Sequence, residues 1–377
     1  MNRLGILVFY DEKGIVDEYL NYYIQSLVQV ITELVIVVNG VVSDSGLKVF
    51  EKYTKRIYLR ENEGFDAGAY KDVFTNYISQ DEWSKYDEII LTNDTCFGPF
   101  VPFREIFHEM SNREADFWGI NYIERKQMPH LQSNFLVFKK MAIRDMVSYL
   151  KNKIPDDMQN LIEVVRRFEI GLFTYLIDLN YIFDSYAARG KINNYCSPDY
   201  AMIENGYPFL KKKAFDQSKY AGNRDNCIRA LKYVYKSSNY DIQLIMDCIK
   251  RKYQTVFDLQ EEFRNELITQ RKEVGNLILD DAVLTQFLNS MDSIYIYGAG
   301  TWAKFLFRYY QKELKKLKGF LVSDDHYQLD HLFGHDVVKL SELTDLSAGI
   351  IVGLGEKNTE EVKGNLEKYR NVLYIWQ

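Results

Sequence analysis

Arg60–Phe74 reads RENEGFDAGAYKDVF and Asp87–Asp94 reads DEIILTND. The first is a glycine-rich turn that enters a helix. The second is a buried strand that ends in a carboxylate. Gly64, Ala67, Gly68 and Ala69 keep the turn small, so a ligand could approach the backbone closely. The start of the helix offers unpaired N–H groups to an anion. The Gly-Lys-Ser/Thr ending of a P-loop is missing, and so is GxGxxG spacing. By itself the turn therefore reads as either a binding turn or a tight connection. A carboxylate at the exit of a buried strand is costly unless it is solvated, paired or bound to metal. Mg²⁺ or Mn²⁺ is usually held by one or two carboxylates plus substrate phosphates. Asp94 is placed for that role; the alternative is a cap on the turn before Gly98-Pro99.

Upstream, Gly5–Tyr10 (GILVFY) and Leu34–Val38 (LVIVV) are short continuous apolar runs, expected as strands covered on both faces. Apolar residues recur at helical spacing between them, over 16–31. A short helix is expected over 47–53 and a third strand over 56–59. Alternation of strand and helix predicts an α/β fold with a parallel sheet. Ligands of such sheets lie beyond the carboxyl ends of the strands, near a switch point. That nominates Tyr10-Asp11, Asn39-Gly40 and Arg60-Glu61 together.

Downstream, strands are expected at 115–120 (ADFWGI) and 134–138 (NFLVF), then a helix over 141–151. His130, in the loop before NFLVF, is either a general base or acceptor ligand, or an ordinary surface histidine. Val164–Asp184 reads VVRRFEIGLFTYLIDLNYIFD, a helix running into a strand. Glu169 near its start is either a base for an acceptor hydroxyl or a residue stabilised by the helix dipole.

The chain has 377 residues, room for two or three domains. An aromatic share of 15% argues against disorder, and a net charge of −6 argues against nucleic-acid binding. Four scattered cysteines suit a reducing cytosol. Neither a leader pattern nor an apolar run of membrane-spanning length is read, so a cytoplasmic protein is expected, bound to a membrane only at its surface. Residues 226–290 are expected as a helical connector. Beyond it, SIYIYGAGTWAKFLFRYY starts a unit of strand, GxGxxA turn and helix, with Asp324 near the acidic position of a dinucleotide fingerprint. This small Rossmann-like unit either packs or dimerises, or binds a nucleotide through Gly298, Gly300 and Asp324.

The motifs RENEGFDAGAYKDVF, LTNDTCFGPF, DFWGI, HLQSNFLVFKK and YPFLKKKAF (207–215), in this order, resemble the rhamnan synthesis protein F family. The same stretch is similar to GT-A glycosyltransferases. The resemblance covers about residues 1–220 and implies a GT-A-like nucleotide-sugar domain over 1–225; the connector over 226–290 and the Rossmann-like domain over 291–377 read from the residues follow it. It implies donor binding by Tyr10, Asn39, Gly64, Asp66, Asn93 and Asp94, with a divalent metal (Mg²⁺ or Mn²⁺) on Asp94. Asn93-Asp94-Thr95 stands where a DxD motif would, with only one carboxylate. Glu169 stands at the place of the catalytic base, with His130 as an alternative. The implied reaction is inverting transfer of a sugar, L-rhamnose from dTDP-rhamnose or otherwise a UDP-hexose. The implied acceptor is a bacterial cell-wall or capsular glycan, free or lipid-linked. An NAD(P)-dependent sugar-modifying enzyme and a non-catalytic assembly scaffold are the other readings. Lys211-Lys212-Lys213, flanked by Phe209 and Phe215, reads as a solvated run or a membrane-surface patch.

Overall fold

The computed structural model describes residues 1–124, 128–158, 160–187, 206–257, 281–310, 313–327 and 331–375. It divides into two compact units, Met1–Val256 and Phe257–Gln377. The stretch expected as a connector is shared between them. Helices Arg224–Ser237 and Gln243–Tyr253 belong to the first unit and Asp281–Ser290 to the second; 258–280 lie outside the described residues.

In the first unit the apolar runs form strands β1 (Arg3–Phe9), β2 (Glu33–Asn39), β3 (Ile57–Arg60) and β4 (Glu88–Asn93). They are followed by β5 (Cys96–Phe97), β6 (Phe117–Gly119), β7 (Tyr122–Ile123), β8 (His130–Leu131), β9 (Phe135–Lys139), β10 (Phe183–Ser185) and β11 (Leu210–Lys211). The main sheet has the order β3-β2-β1-β4-β9-β6-β10. It is parallel except for β9, which runs antiparallel to both β4 and β6. The order reverses between β1 and β4, so the switch point lies where Tyr10 and Asn93 emerge.

The sheet is covered on both faces, which is why β1, β2 and β4 carry uninterrupted apolar residues. One face packs Leu4, Ile6, Val8, Ile89 and Leu91 against Tyr70, Phe74, Met146 and Phe168. Aromatic residues pack on the other face too: Phe103 stacks on Phe135 with centroids 5.1 Å apart, and Tyr23 and Phe209 lie beside Phe103. Most of the tyrosine and phenylalanine content is thus core.

The second unit contains β12 (Ile294–Tyr297), β13 (Leu317–Val322), β14 (His331–Leu332), β15 (His335–Lys339), β16 (Gly349–Val352) and β17 (Asn371–Tyr374). Their order is β14-β15-β13-β12-β16-β17, parallel apart from the β14–β15 hairpin. This is a small doubly wound, Rossmann-like sheet.

Candidate active site

The carboxyl ends of β2 and β3 are tied to each other. Arg60 donates to the Asn39 side-chain oxygen (2.6 Å), to Asp72 (2.6 Å) and to the Glu63 carbonyl (2.8 Å). The Asn39 amide in turn donates to the Phe65 carbonyl at 3.2 Å. Asn39 therefore braces the glycine-rich turn, and Arg60 is the residue that organises it. Gly64 has φ +67° and Phe65 φ +54°, so two successive residues are left-handed where helix Phe65–Asp72 begins. Phe65 has no glycine's freedom, and its backbone is strained. The smallness of Gly68 serves the turn itself: a Cβ there would meet the Glu63 carbonyl oxygen at 2.3 Å. Tyr10 is 43% exposed beside this edge.

The turn sets Asp66 against the end of β4. The Asn93 amide donates to Asp66 Oδ2 (2.6 Å), while its oxygen accepts from the Thr95 N–H and hydroxyl. Burial, then the negative charge of Asp94, and less strongly that of Glu169, push the Asp66 carboxyl up to about 7 against the opposing pull of Lys211 and Asn93.

Asp94 is buried and paired. Lys212 Nζ lies 2.6 Å from its Oδ2, and both groups are buried. The same ammonium donates to the Tyr19 hydroxyl (2.6 Å), which donates to the Asp94 main-chain carbonyl (3.1 Å). Burial and the neighbouring Asp94 hold the Tyr19 phenol well above its usual range. Lys212 arrives on a returning segment. β11 pairs antiparallel with β5, Lys212 N–H donates to the Thr95 carbonyl (3.0 Å), and Phe100 N–H to the Pro208 carbonyl (2.9 Å). Gly98, at φ +128°, makes this approach feasible: a Cβ there would sit 2.4 Å from the Pro208 oxygen. The lysine run is thus not a surface patch. Lys212 and both flanking phenylalanines, Phe209 and Phe215, are buried, because the segment closes over the end of β4.

The third group comes from β9 and the helix before β10. Since β9 is antiparallel to β4, residues 130–134 reach the carboxyl end of β4, where the Thr92 hydroxyl donates to the Asn134 carbonyl (2.9 Å). Helix 161–178 contains a π-helical stretch, Val165–Ile170, that presents Glu169 inward, a wide turn of the kind common at functional sites. Glu169 Oε1 accepts from the Ser133 hydroxyl (2.5 Å) and N–H (3.2 Å). Its Oε2 is buried without a hydrogen-bond partner, 3.6 Å from His130 Nε2. His130 is buried, not a surface residue, and its Nδ1 bonds the Met128 carbonyl at 2.9 Å. A carbonyl only accepts, so Nδ1 carries the proton. The Asn134 amide and the Tyr70 hydroxyl are also buried and unpartnered. Buried polar atoms without partners mark where a polar ligand would be received.

These groups face one edge of the sheet, and none is supplied by the second unit. There, Gly298 has φ +116° and lies against the Gly353 carbonyl, Gly300 has open space around it, and Asp324 is at the surface, accepting from Ser341 N–H.

A metal on Asp94 is poorly matched by these side chains. Among the described residues no three His, Cys, Asp or Glu side chains converge, so the protein alone offers no cage for an ion beside Asp94. Like charges about 4 Å apart repel by roughly 4 kcal/mol per pair of unit charges at a near-surface dielectric. A dication on the carboxylate already bonded to Lys212 would meet that opposition. The donor set does not fit a resident divalent ion.

The sequence model of the rhamnan synthesis protein F family matches residues 34–282. An uncharacterized Sinorhizobium fredii protein, y4gN, is 27% identical over 176 residues, which cover 45% of this chain and 44% of that protein. The chain thus matches under half the length of that relative. Among solved structures, HddC from Yersinia pseudotuberculosis aligns at 13% identity and TM-score 0.32, over 49% of this chain and 89% of that one. The mannosyltransferase PcManGT from Pyrobaculum calidifontis, solved with GDP-Man and Mn²⁺, aligns at 9% and 0.33, over 71% and 80%. Both scores are low.

Proposed function

The chain belongs to the rhamnan synthesis protein F family, and on that premise we propose that it is an inverting glycosyltransferase acting on a bacterial cell-wall or capsular glycan, free or lipid-linked. The observation that carries the reading is the buried, unpartnered Oε2 of Glu169, held at the same sheet edge as Asp66 and Asp94. A carboxylate oxygen kept from other partners, with its twin pinned by Ser133, is positioned to take a proton. An acceptor hydroxyl gives its proton to Glu169 and attacks the anomeric carbon. The bond from that carbon to the diphosphate oxygen breaks, with the electron pair leaving on the diphosphate, and one in-line displacement inverts the centre. His130, whose Nε2 lies 3.6 Å from Oε2, is the alternative base. Tyr10, the turn at Gly64–Asp66 and the Asn93-Asp94 end of β4 receive the nucleotide sugar, dTDP-L-rhamnose in first place and a UDP-hexose in second. No helix among the described residues is long and apolar enough to cross a membrane, and a lipid-linked acceptor would be met at the membrane surface.

The test is thermal stability of the full chain against dTDP, UDP, GDP, NAD and NADP, followed by transfer assays with the sugar of the stabilising nucleotide. Stabilisation by a nucleoside diphosphate, and transfer from its sugar, is expected. Stabilisation by NAD or NADP alone would sink the reading and move attention to Gly298. No response to any nucleotide would favour a non-catalytic scaffold.

A further inference from the structure

Resting on the transferase reading, we propose that Lys212 takes the place of a metal ion: its ammonium neutralises the donor diphosphate, and donor binding needs no divalent cation. An ammonium has three N–H donors. Among the described residues Lys212 gives one to Asp94 and one to Tyr19, so a third remains for an anionic oxygen. The ammonium is fixed from several sides. Asp94 and Tyr19 hold its head, the Tyr19 ring lies 5.0 Å from Nζ, and the backbone bond to Thr95 holds its base. A charge fixed in advance within a covered site needs little rearrangement when the leaving group forms. Lys211 reinforces it: its Nζ bonds the Thr95 hydroxyl at 3.3 Å, and its charge acts on Asp66. Two lysines therefore bracket the Asn93-Asp94-Thr95 turn, where the resemblance would place a second carboxylate. In the displacement the anomeric C–O bond breaks, its electron pair goes to the diphosphate, and Lys212 keeps its proton. It acts by charge and hydrogen bonding alone.

The competing role is a buried ion pair that only holds the returning segment in place. Calorimetric titration of the full chain with dTDP and with UDP, in EDTA and in Mn²⁺, separates the two. Wild type should bind one of them in EDTA, with Mn²⁺ changing the affinity by less than about threefold. Asp94→Asn should keep binding in EDTA. Lys212→Met leaves Asp94 buried and unpaired, so the double variant Asp94→Asn/Lys212→Met guards against loss of fold. With its thermal midpoint preserved, it should bind about 10- to 100-fold more weakly, the size of one charge-assisted hydrogen bond. Binding by wild type only when Mn²⁺ is present overturns the lysine proposal and leaves the transferase reading standing. A folded double variant that binds as wild type also overturns it and leaves Lys212 as a structural countercharge. No binding of either nucleotide in either condition overturns the transferase reading and this proposal with it.

Discussion

Glu169→Gln should separate chemistry from architecture. Oε1 accepts two hydrogen bonds from Ser133, at 2.5 and 3.2 Å, and an amide oxygen accepts both equally well. The amide nitrogen then occupies the position of Oε2, which has no hydrogen-bond partner and faces His130 Nε2 at 3.6 Å. With the His130 proton on Nδ1, toward the Met128 carbonyl, Nε2 has a lone pair to offer. The variant thus keeps every existing bond and can gain one, worth about 1 kcal/mol. For a unit the size of Met1–Val256 that raises the thermal midpoint by roughly 2 °C. The proton acceptor, however, is gone, and kcat should fall by roughly 10²–10⁴-fold. The assay pairs transfer of radiolabelled sugar at saturating donor with a denaturation midpoint on the same preparation. Retention of kcat within about threefold would refute the base role. A loss of more than about 2 kcal/mol in stability would instead refute the hydrogen-bond pattern that pins the carboxylate.

Gly68→Ala gains about 1 kcal/mol of helix propensity, but its Cβ would lie 2.3 Å from the Glu63 carbonyl. Overpacking typically costs about 1–3 kcal/mol, and against an immobile backbone oxygen the upper part of that range applies. A net loss of about 1–2 kcal/mol should show as a lower thermal midpoint, and an unchanged or higher one would contradict the packed turn. Asp66, raised above its unfolded value of 3.8 to about 7, gives pH dependence of definite sign. Its proton favours the folded state at low pH, and that stability is lost as pH rises through about 7. The unfolding free energy of wild type relative to Asp66→Asn, from urea titrations, should therefore fall between about pH 4 and 7, by at most about 4 kcal/mol. A wild-type curve that rises against the variant over that range would reverse the assignment.

The parallel half of the first unit was legible because β1, β2 and β4 are covered on both faces, and such strands appear as unbroken apolar runs. The turn at Gly64–Asp66 and the exit at Asp94 were visible for the same reason, as small or charged residues at the ends of those runs. What stayed hidden depends on pairing between distant segments. Nothing local in YPFLKKKAF distinguishes Lys212, which the pairing of β11 with β5 buries against Asp94, from a solvated lysine. Ser133 reaches Glu169 only because β9 runs antiparallel to β4, a pairing no local pattern reveals. His130 was weighed as a surface residue, since its burial also depends on that reversal. Asn39, nominated as a donor contact, also braces the turn with Arg60, a role that only the register of β2 against β3 discloses.

The segment that carries Lys212 also sets the order in which the unit can be completed. Asp94 lies in the first hundred residues, but its countercharge is synthesised 118 positions later. Until that segment closes over β4, a nascent chain leaves Asp94 open to water, because an unpaired carboxylate is expensive to cover, by about 3–5 kcal/mol. The long intervening stretch must be made and placed before the edge of the sheet becomes dry. The module therefore cannot be shortened from its far end to a minimal nucleotide-binding half. A fragment ending before Tyr207 would retain every strand of the main sheet, and would expose at its centre a charge that the complete chain keeps answered.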